Sequence, residues 1–152
     1  MYLSHLSLVN FKNYTEAQLN FSSGVNCITG TNGSGKTNII DAVYYLSFTK
    51  SYFNISDTQN IQHGESLFVI QGKFSDNEKE EHVFCGVKTG FKKQVKRGGE
   101  EYERLSDHIG LFPVVMVAPV DHILITEGSD ERRKFIDSVI SQVDKAYLEN
   151  LI

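Results

Sequence analysis

The sequence has 152 residues, 40% of them apolar and 22% charged. That is enough for one domain, or one domain plus the start of another, and enough to bury roughly 70% of the unfolded surface without disulfide staples. Ten Phe and seven Tyr argue against a disordered chain, and 15 Lys+Arg against 19 Asp+Glu give a net charge of −4, so any contact with nucleic acid is local, not drawn by a global positive field.

Residues 3–9 read as a strand, and Ala17, Leu19 and Phe21 alternate in a second, with Asn13-Tyr14 as the turn between them. Ser22-Ser23-Gly24 breaks the chain, and Val25-Asn26-Cys27-Ile28-Thr29 is expected as a short third strand. A glycine-rich loop follows, and then a helix with Ile39, Ile40, Val43 and Leu46 at helical spacing. Residues 49–62 are polar and aromatic, a loop with a helical turn. Residues 67–74 alternate again, Ser75-Asp76-Asn77-Glu78 is a turn, and residues 82–87 return as a strand. Gln94-Val95-Lys96-Arg97, Gly98-Gly99 and Glu100-Glu101-Tyr102 form a tight hairpin, because Gly-Gly supplies the positive φ of a primed turn. Residues 104–109 suit a short helix. Val114-Val115-Met116-Val117 is a continuous apolar run, expected as a strand buried on both faces. From Ser129 a helix is expected, with Ser129 as N-cap, Asp130-Glu131 at its positive end and Phe135, Ile136, Val139, Ile140 and Val143 as its apolar stripe. Asp144 is placed to cap a further helix. Cys27 and Cys85 sit in strand-like segments and read as buried thiols of a cytosolic protein. No apolar run approaches the roughly 20 residues that span a bilayer, and the first five residues lack the basic and apolar regions of a secretory signal. The five His show no CxxC or HxxxH spacing that would suit a metal.

The strongest motif is Gly30-Thr31-Asn32-Gly33-Ser34-Gly35-Lys36-Thr37, which fits G-x-x-x-x-G-K-[ST] at every fixed position. At average composition such a match arises by chance in roughly one chain in two hundred of this length. It follows a predicted strand and opens a predicted helix, as its mechanism requires. Small residues let successive amides curl around a phosphate as a nest, and the helix N-terminus adds partial positive charge. Lys36 would bridge β- and γ-phosphates, and Thr37 would place its hydroxyl on Mg²⁺. A dinucleotide fold fits poorly, because the glycines run G-x-x-G-x-G and no acidic residue ends a second strand about 20 residues on. No apolar strand in residues 38–152 ends in Asp or Asp-Glu, so the carboxylates that hold Mg²⁺ and activate water are expected outside this sequence.

These residues resemble the RecF family, recombination mediators within the SMC-type, ABC-like ATPases. The resemblance is carried by Leu8-Val9-Asn10-Phe11-Lys12-Asn13-Tyr14, by residues 21–26, and by Asn32-Gly33-Ser34-Gly35-Lys36-Thr37-Asn38 with Asp41-Ala42. It continues in residues 115–119 and in Glu127-Gly128-Ser129-Asp130-Glu131-Arg132-Arg133-Lys134-Phe135-Ile136-Asp137. The chain departs from the family where Lys12 replaces a usual Arg and Ser34 a usual Gln. It departs again where Val120-Asp121 replaces an acidic pair and where a Pro is missing before Asp130. The resemblance implies an α/β fold: a P-loop NTPase of the ABC-type ATPase head, with an antiparallel β subdomain and the start of a helical arm. Residues 1–128 would be head and 129–152 the entry to the second lobe, with the signature motif and acidic pair further along a longer protein. ATP and Mg²⁺ would be held by residues 30–38 (Asn38 included), with Lys12 either reaching a phosphate from the end of the first strand or standing as a solvated lysine. The implied partners are DNA at single-strand/double-strand gaps, a second copy on ATP binding, and the proteins RecO and RecR. The implied setting is cytoplasmic, nucleoid-associated DNA replication and repair.

Other features have weaker claims. Lys88, Lys92, Lys93, Lys96 and Arg97 form a basic run around Phe91 that suits DNA phosphates, although Glu100, Glu101 and Glu103 follow at once and suit a charged sheet edge. Arg132 and Arg133 stand at a helix start, where the dipole disfavours cations, and so are expected to have partners, a structural ion pair before acidic groups of a second lobe or DNA. Asp121 suits a cap or turn before a place in the Mg²⁺ shell, and His63 a turn before an acid–base role. The expected function is the ATP-binding part of a RecF-type protein, too incomplete by itself for turnover. The alternatives are a P-loop small-molecule phosphotransferase or another SMC-type chromosome-associated ATPase.

Overall fold

The alternation of apolar and polar residues through 2–20 and 67–101 builds one antiparallel sheet. In the computed structural model, which describes residues 1–76, 79–126 and 128–152, the strands are β1 (Tyr2–Phe11), β2 (Tyr14–Asn20), β3 (Leu67–Asp76), β4 (Lys79–Lys88), β5 (Gln94–Arg97) and β6 (Glu100–Glu101). They lie in the order β2-β1-β3-β4-β5-β6. The expected turn at 75–78 includes Asn77 and Glu78, which lie outside the described residues, as does Glu127 of the later motif. Gly98 and Gly99 both take positive φ, 58° and 91°, in the β5–β6 hairpin, as a primed turn demands.

Period-2 alternation puts Leu6, Leu8, Phe68, Ile70, Val83, Cys85 and Val95 on one buried face. Helix α1 (Lys36–Phe48) covers it with Ile39, Ala42, Tyr45 and Leu46. Phe11, Tyr45 and Phe68 meet edge to face, with ring centroids 5.2 to 6.4 Å apart, the arrangement favoured by aromatic quadrupoles. Gly72 leaves room for the helix, because a Cβ there would lie 2.5 Å from Leu46 Cδ1. A short 3₁₀ turn, Asp57–Asn60, interrupts the loop after α1. These elements belong to a compact unit of residues Met1–Glu103.

The second unit, Arg104–Ile152, contains 3₁₀ turns at Leu105–Asp107 and Pro119–His122 and the helices α2 (Ile123–Thr126), α3 (Ser129–Val143) and α4 (Lys145–Leu151). Gln142 on α3 clamps the backbone at Val114, accepting from its N–H at 2.8 Å and donating to its carbonyl at 3.1 Å. Asp144 caps α4 by accepting from the Tyr147 amide at 3.0 Å, as expected. No helix of the described residues is long and apolar enough to cross a membrane.

Four expectations are corrected. Residues 25–29 and 114–117 are irregular, not strands, because among the described residues neither segment has a ladder partner for its amides and carbonyls. Val25 is accordingly 97% exposed, and Val115 and Val117 point outward while Met116 is buried. Cys27 shares that exposure, whereas Cys85 is buried. Ser129 is the first residue of α3, not its N-cap: Gly128 holds the cap position in extended conformation, and the Ser129 hydroxyl accepts from Arg133 at 3.0 Å. The α3 stripe is largely uncovered, with Phe135, Ile136, Val139 and Val143 exposed. Amphipathic spacing specifies a face, and covering that face takes a neighbour that the described residues do not supply.

Candidate functional site, a phosphate-binding loop

The loop of residues 30–35 rises into α1 through backbone that only glycine takes readily. Gly33 and Gly35 sit at φ 81° and 100°, and Gly35 is the helix N-cap. Its carbonyl accepts from the amides of Asn38 at 2.8 Å and Ile39 at 3.2 Å. The first amides of an α-helix have no acceptor within it, and they carry the positive end of the macrodipole. Lys36 opens the helix and folds back, donating from Nζ to the carbonyls of Gly30 at 2.8 Å and Thr31 at 2.7 Å. An ammonium has three donors and no acceptor, so carbonyl oxygens stand in for the anion it is suited to. Asn32, Ser34 and Thr37 are on the open side of the loop with exposed side chains, and Asn38 is half-buried behind it. A glycine-rich loop opening a helix, with an ammonium folded onto it, has the chemistry that suits a polyphosphate with a Mg²⁺ ion. The loop residues would hold the phosphates, and Thr37 Oγ1, exposed in the first turn of the helix, would be the group to meet the metal. Among the described residues no cluster of three His, Cys, Asp or Glu offers another metal site.

The β1–β2 turn supports the loop from behind, a role that sequence reading did not assign to it. Asn13 Nδ2 and Tyr14 Oη donate to the Ser34 carbonyl at 3.3 and 3.5 Å, and Asn38 Nδ2 donates to Asn13 Oδ1 at 2.7 Å. A Cβ on Gly35 would come within 2.6 to 2.8 Å of the Asn13 amide and the Tyr14 hydroxyl. Partial burial raises the Tyr14 pKa, keeping the phenol protonated as a donor. The only trace of this in the sequence is that a polar turn and a P-loop are both present. Nothing in the spacing says that they meet.

Lys12 is neither a solvated lysine nor extended over the loop. Its ammonium pairs with the Asp41 carboxylate at 2.5 Å, where Asp41 is fully buried, and lies 5.4 to 5.6 Å from the ring centroids of Phe53 and Phe11. Asp41 also accepts from Ser51 Oγ and the Tyr52 amide, both at 2.7 Å.

The basic run divides by face. Lys93 turns inward to Asp57 at 2.8 Å and to the Thr49 carbonyl, and Asp57 also accepts from the Tyr45 hydroxyl at 2.6 Å. Arg97 forms a two-pronged pair with Glu81 at 2.9 and 3.0 Å. That bonding holds the Glu81 carboxyl below its ordinary pKa and raises that of Arg97. Lys88, Lys92 and Lys96 remain on the outer side. Arg132 donates to the Leu124 carbonyl, and Arg133 pairs with Asp130, so both have local structural partners. Asp121 accepts from the Ala118 amide at 2.6 Å as a turn residue, and His63 lies in the turn ending at Gly64.

Comparison with known proteins bears on this loop and its scaffold. Residues 2–109 match the family described as RecF/RecN/SMC N terminal domain. The DNA replication and repair protein RecF of Flavobacterium johnsoniae is 51% identical over 152 residues, covering 100% of this chain and 42% of that protein. The protein of the same description from Phocaeicola vulgatus is 56% identical over 153 residues, covering 100% and 41%. The chain thus spans about two fifths of the length of these relatives. A structure described as the recombination mediator protein RecF-ATP in the RecFOR pathway superposes with a TM-score of 0.91 at 32% identity, over 99% of this chain and 42% of that one. The SMC head domain from Thermotoga maritima superposes with a TM-score of 0.56 at 28% identity, over 70% and 40%. The fold is that of an SMC-type, ABC-like ATPase head with an antiparallel β subdomain, and the chain belongs to the RecF/RecN/SMC N-terminal domain family as the N-terminal part of a RecF-type protein.

Proposed function

We propose that the chain is the ATP-binding part of a RecF-type DNA replication and repair protein. The observation that carries this reading is Lys36 folded onto the carbonyls of Gly30 and Thr31 at the mouth of a glycine loop that opens a helix. Similarity to a structure described as RecF-ATP supports ATP as the nucleotide. Residues 30–38 would cradle the phosphates, and Thr37 would meet Mg²⁺. Lys12 would contribute only if a phosphate drew it from Asp41. Residues 1–128 would serve as head and 129–152 as entry to a helical lobe. In the whole protein, ATP would act as a switch for pairing two heads on DNA at gaps, since a ligand shifts an equilibrium only as far as it favours one state. RecO and RecR would be its partners, in the cytoplasm. Turnover would need carboxylates from outside this sequence.

Titration of the chain with a fluorescent ATP analogue and Mg²⁺ tests the reading. Saturable binding that falls at least tenfold in Lys36→Ala supports it. Binding that ignores Lys36, or ATP turnover by the chain alone stimulated by a small metabolite, would favour the phosphotransferase reading.

A further inference from the structure

The sheet has a second face, turned away from α1, and its chemistry is different. Pairing across the strands sets Gln18, Ser7, Gln71, Phe84, Lys96 and Glu101 in one row from β2 to β6. At about 4.8 Å per strand the row runs about 24 Å. Two grooves lie along this face and share Phe84 as a wall. One, of about 510 Å³, includes Lys88, Phe91 and Lys92. The other, of about 500 Å³, includes His5, Lys73, His82 and Lys96. The Phe84 ring edge reaches over Gly86, whose absent side chain makes room for it: a Cβ there would be 2.9 Å from the ring. Phe91 is 68% exposed.

The cations here differ from their neighbours in sequence. Lys93 and Arg97 are neutralised by Asp57 and Glu81. Among the described residues, none of Lys73, Lys88, Lys92 and Lys96 has a carboxylate within 4.0 Å. Instead, Lys88 Nζ sits 4.7 Å from the Phe91 ring centroid and Lys96 Nζ 5.7 Å from that of Phe84. Of the acidic side chains of this face, Glu16 lies on an edge strand and Glu80 near the end of β4, while Glu101, on the other edge strand, lines the Lys88–Phe91–Lys92 groove from its rim. In a chain of net charge −4, the centre of one face is therefore locally basic and aromatic.

We propose that this outer face is a binding site for single-stranded nucleic acid. Ammonium groups would track the phosphates while Phe91 and Phe84 offer π-faces to unstacked bases, the combination that binds single strands without sequence preference. A stacked duplex hides the base faces that the rings would meet, so the rings favour an unpaired strand. The site lies on the opposite side of the sheet from α1 and stands whether or not the loop at residues 30–37 binds nucleotide.

Fluorescence anisotropy of a labelled oligothymidylate with the chain, in 50 to 200 mM salt and without ATP, tests the proposal. The variant Lys88→Gln/Lys92→Gln/Lys96→Gln should weaken binding at least tenfold. It should also flatten the log–log salt dependence by about 2, at roughly 0.7 per lost contact with a single strand. Phe91→Ala should weaken binding about 5- to 150-fold, the range for losing one stacked base. Lys134→Gln on α3 should bind as the parent does, and all variants should keep their affinity for the fluorescent ATP analogue, so that failure here is separable from failure of the loop. The proposal is overturned by no binding at 50 mM salt or by equal losses in Lys134→Gln. It is equally overturned by duplex binding as tight as single-strand binding and indifferent to Phe91, or by capture of an acidic peptide in place of the oligonucleotide.

Discussion

Removing the Asp41 carboxylate should destabilise the first unit more than any other single polar change. Asp41 is fully buried, and three donors converge on it: the Lys12 ammonium at 2.5 Å and the Ser51 hydroxyl and Tyr52 amide at 2.7 Å. In Asp41→Ala the Lys12 ammonium, whose side chain is only 11% exposed, is left in the interior without its anion. Breaking a buried pair by removing one partner costs about 3–5 kcal/mol, and each orphaned donor adds about 1–3 kcal/mol where water cannot reach it. Domains of this size are stable by roughly 5–15 kcal/mol, so the expected loss is a large fraction of the whole. Urea unfolding followed by circular dichroism reads it, in a cycle with Lys12→Met. Lys12→Met alone should cost less than Asp41→Ala, because a carboxylate that keeps two hydrogen bonds is better off than an ammonium that keeps none. The double variant should be milder than the sum of the singles by about 1–3 kcal/mol. Single variants within 0.5 kcal/mol of the parent, or strict additivity, would refute the pairing.

Cys27 should react with an alkylating probe in the native chain while Cys85 should not, because Cys85 is buried and its thiol is pushed up to about 12; one thiol labelled natively and two in denaturant is the expected count, and equal labelling would contradict it. Glu81 gives an acid-dependent step. Arg97 holds its carboxyl below the ordinary 4.5, so the pair stabilises the fold above that value and loses its effect as pH falls through the lower folded value. Both side chains are about a third exposed, so the contribution is under about 1 kcal/mol. Glu81→Gln should lower the melting temperature by a few degrees at pH 7 and by progressively less as the pH falls below 4.5. Gly35→Ala forces a side chain into φ 100° against Asn13 and Tyr14; at about 1–2 kcal/mol for a left-handed residue, with further loss from the displaced turn, nucleotide affinity should drop at least tenfold while the fold persists.

Local rules made most of the scaffold readable. Alternation located β1 to β5, Gly98-Gly99 located the hairpin, Asp144 the cap of α4, and the glycine spacing the loop, because each is decided by residues close in sequence. What was not readable depends on distant partners. Val25-Asn26-Cys27-Ile28-Thr29 and Val114-Val115-Met116-Val117 have the composition of strands, yet β structure also needs a neighbour for its hydrogen bonds, and the described residues provide none. The exposed stripe on α3 is the same failure in a helix. Lys12 misled in another way: its position after β1 suggested a free cation, while the carboxylate that claims it sits 29 positions on, in the middle of α1. Likewise, Asn13 and Tyr14 brace Ser34 across 20 or more positions of sequence, a contact visible only once the sheet places the β1–β2 turn beside the loop. The basic run divided because β-strand alternation sends Lys96 outward and Arg97 inward, although the two are adjacent.

The central claim is that the amides of residues 30–37 and the Lys36 ammonium together receive a polyphosphate. Amide NMR of the ¹⁵N-labelled chain, titrated with a non-hydrolysable ATP analogue and Mg²⁺, reads this directly. The largest shifts should fall on Gly33, Gly35, Lys36 and Thr37, should follow the number of phosphates from AMP to ADP to ATP, and should vanish in Lys36→Ala. Shifts centred elsewhere with those four amides unmoved, or an adenosine response as large as that of the triphosphate, would contradict it.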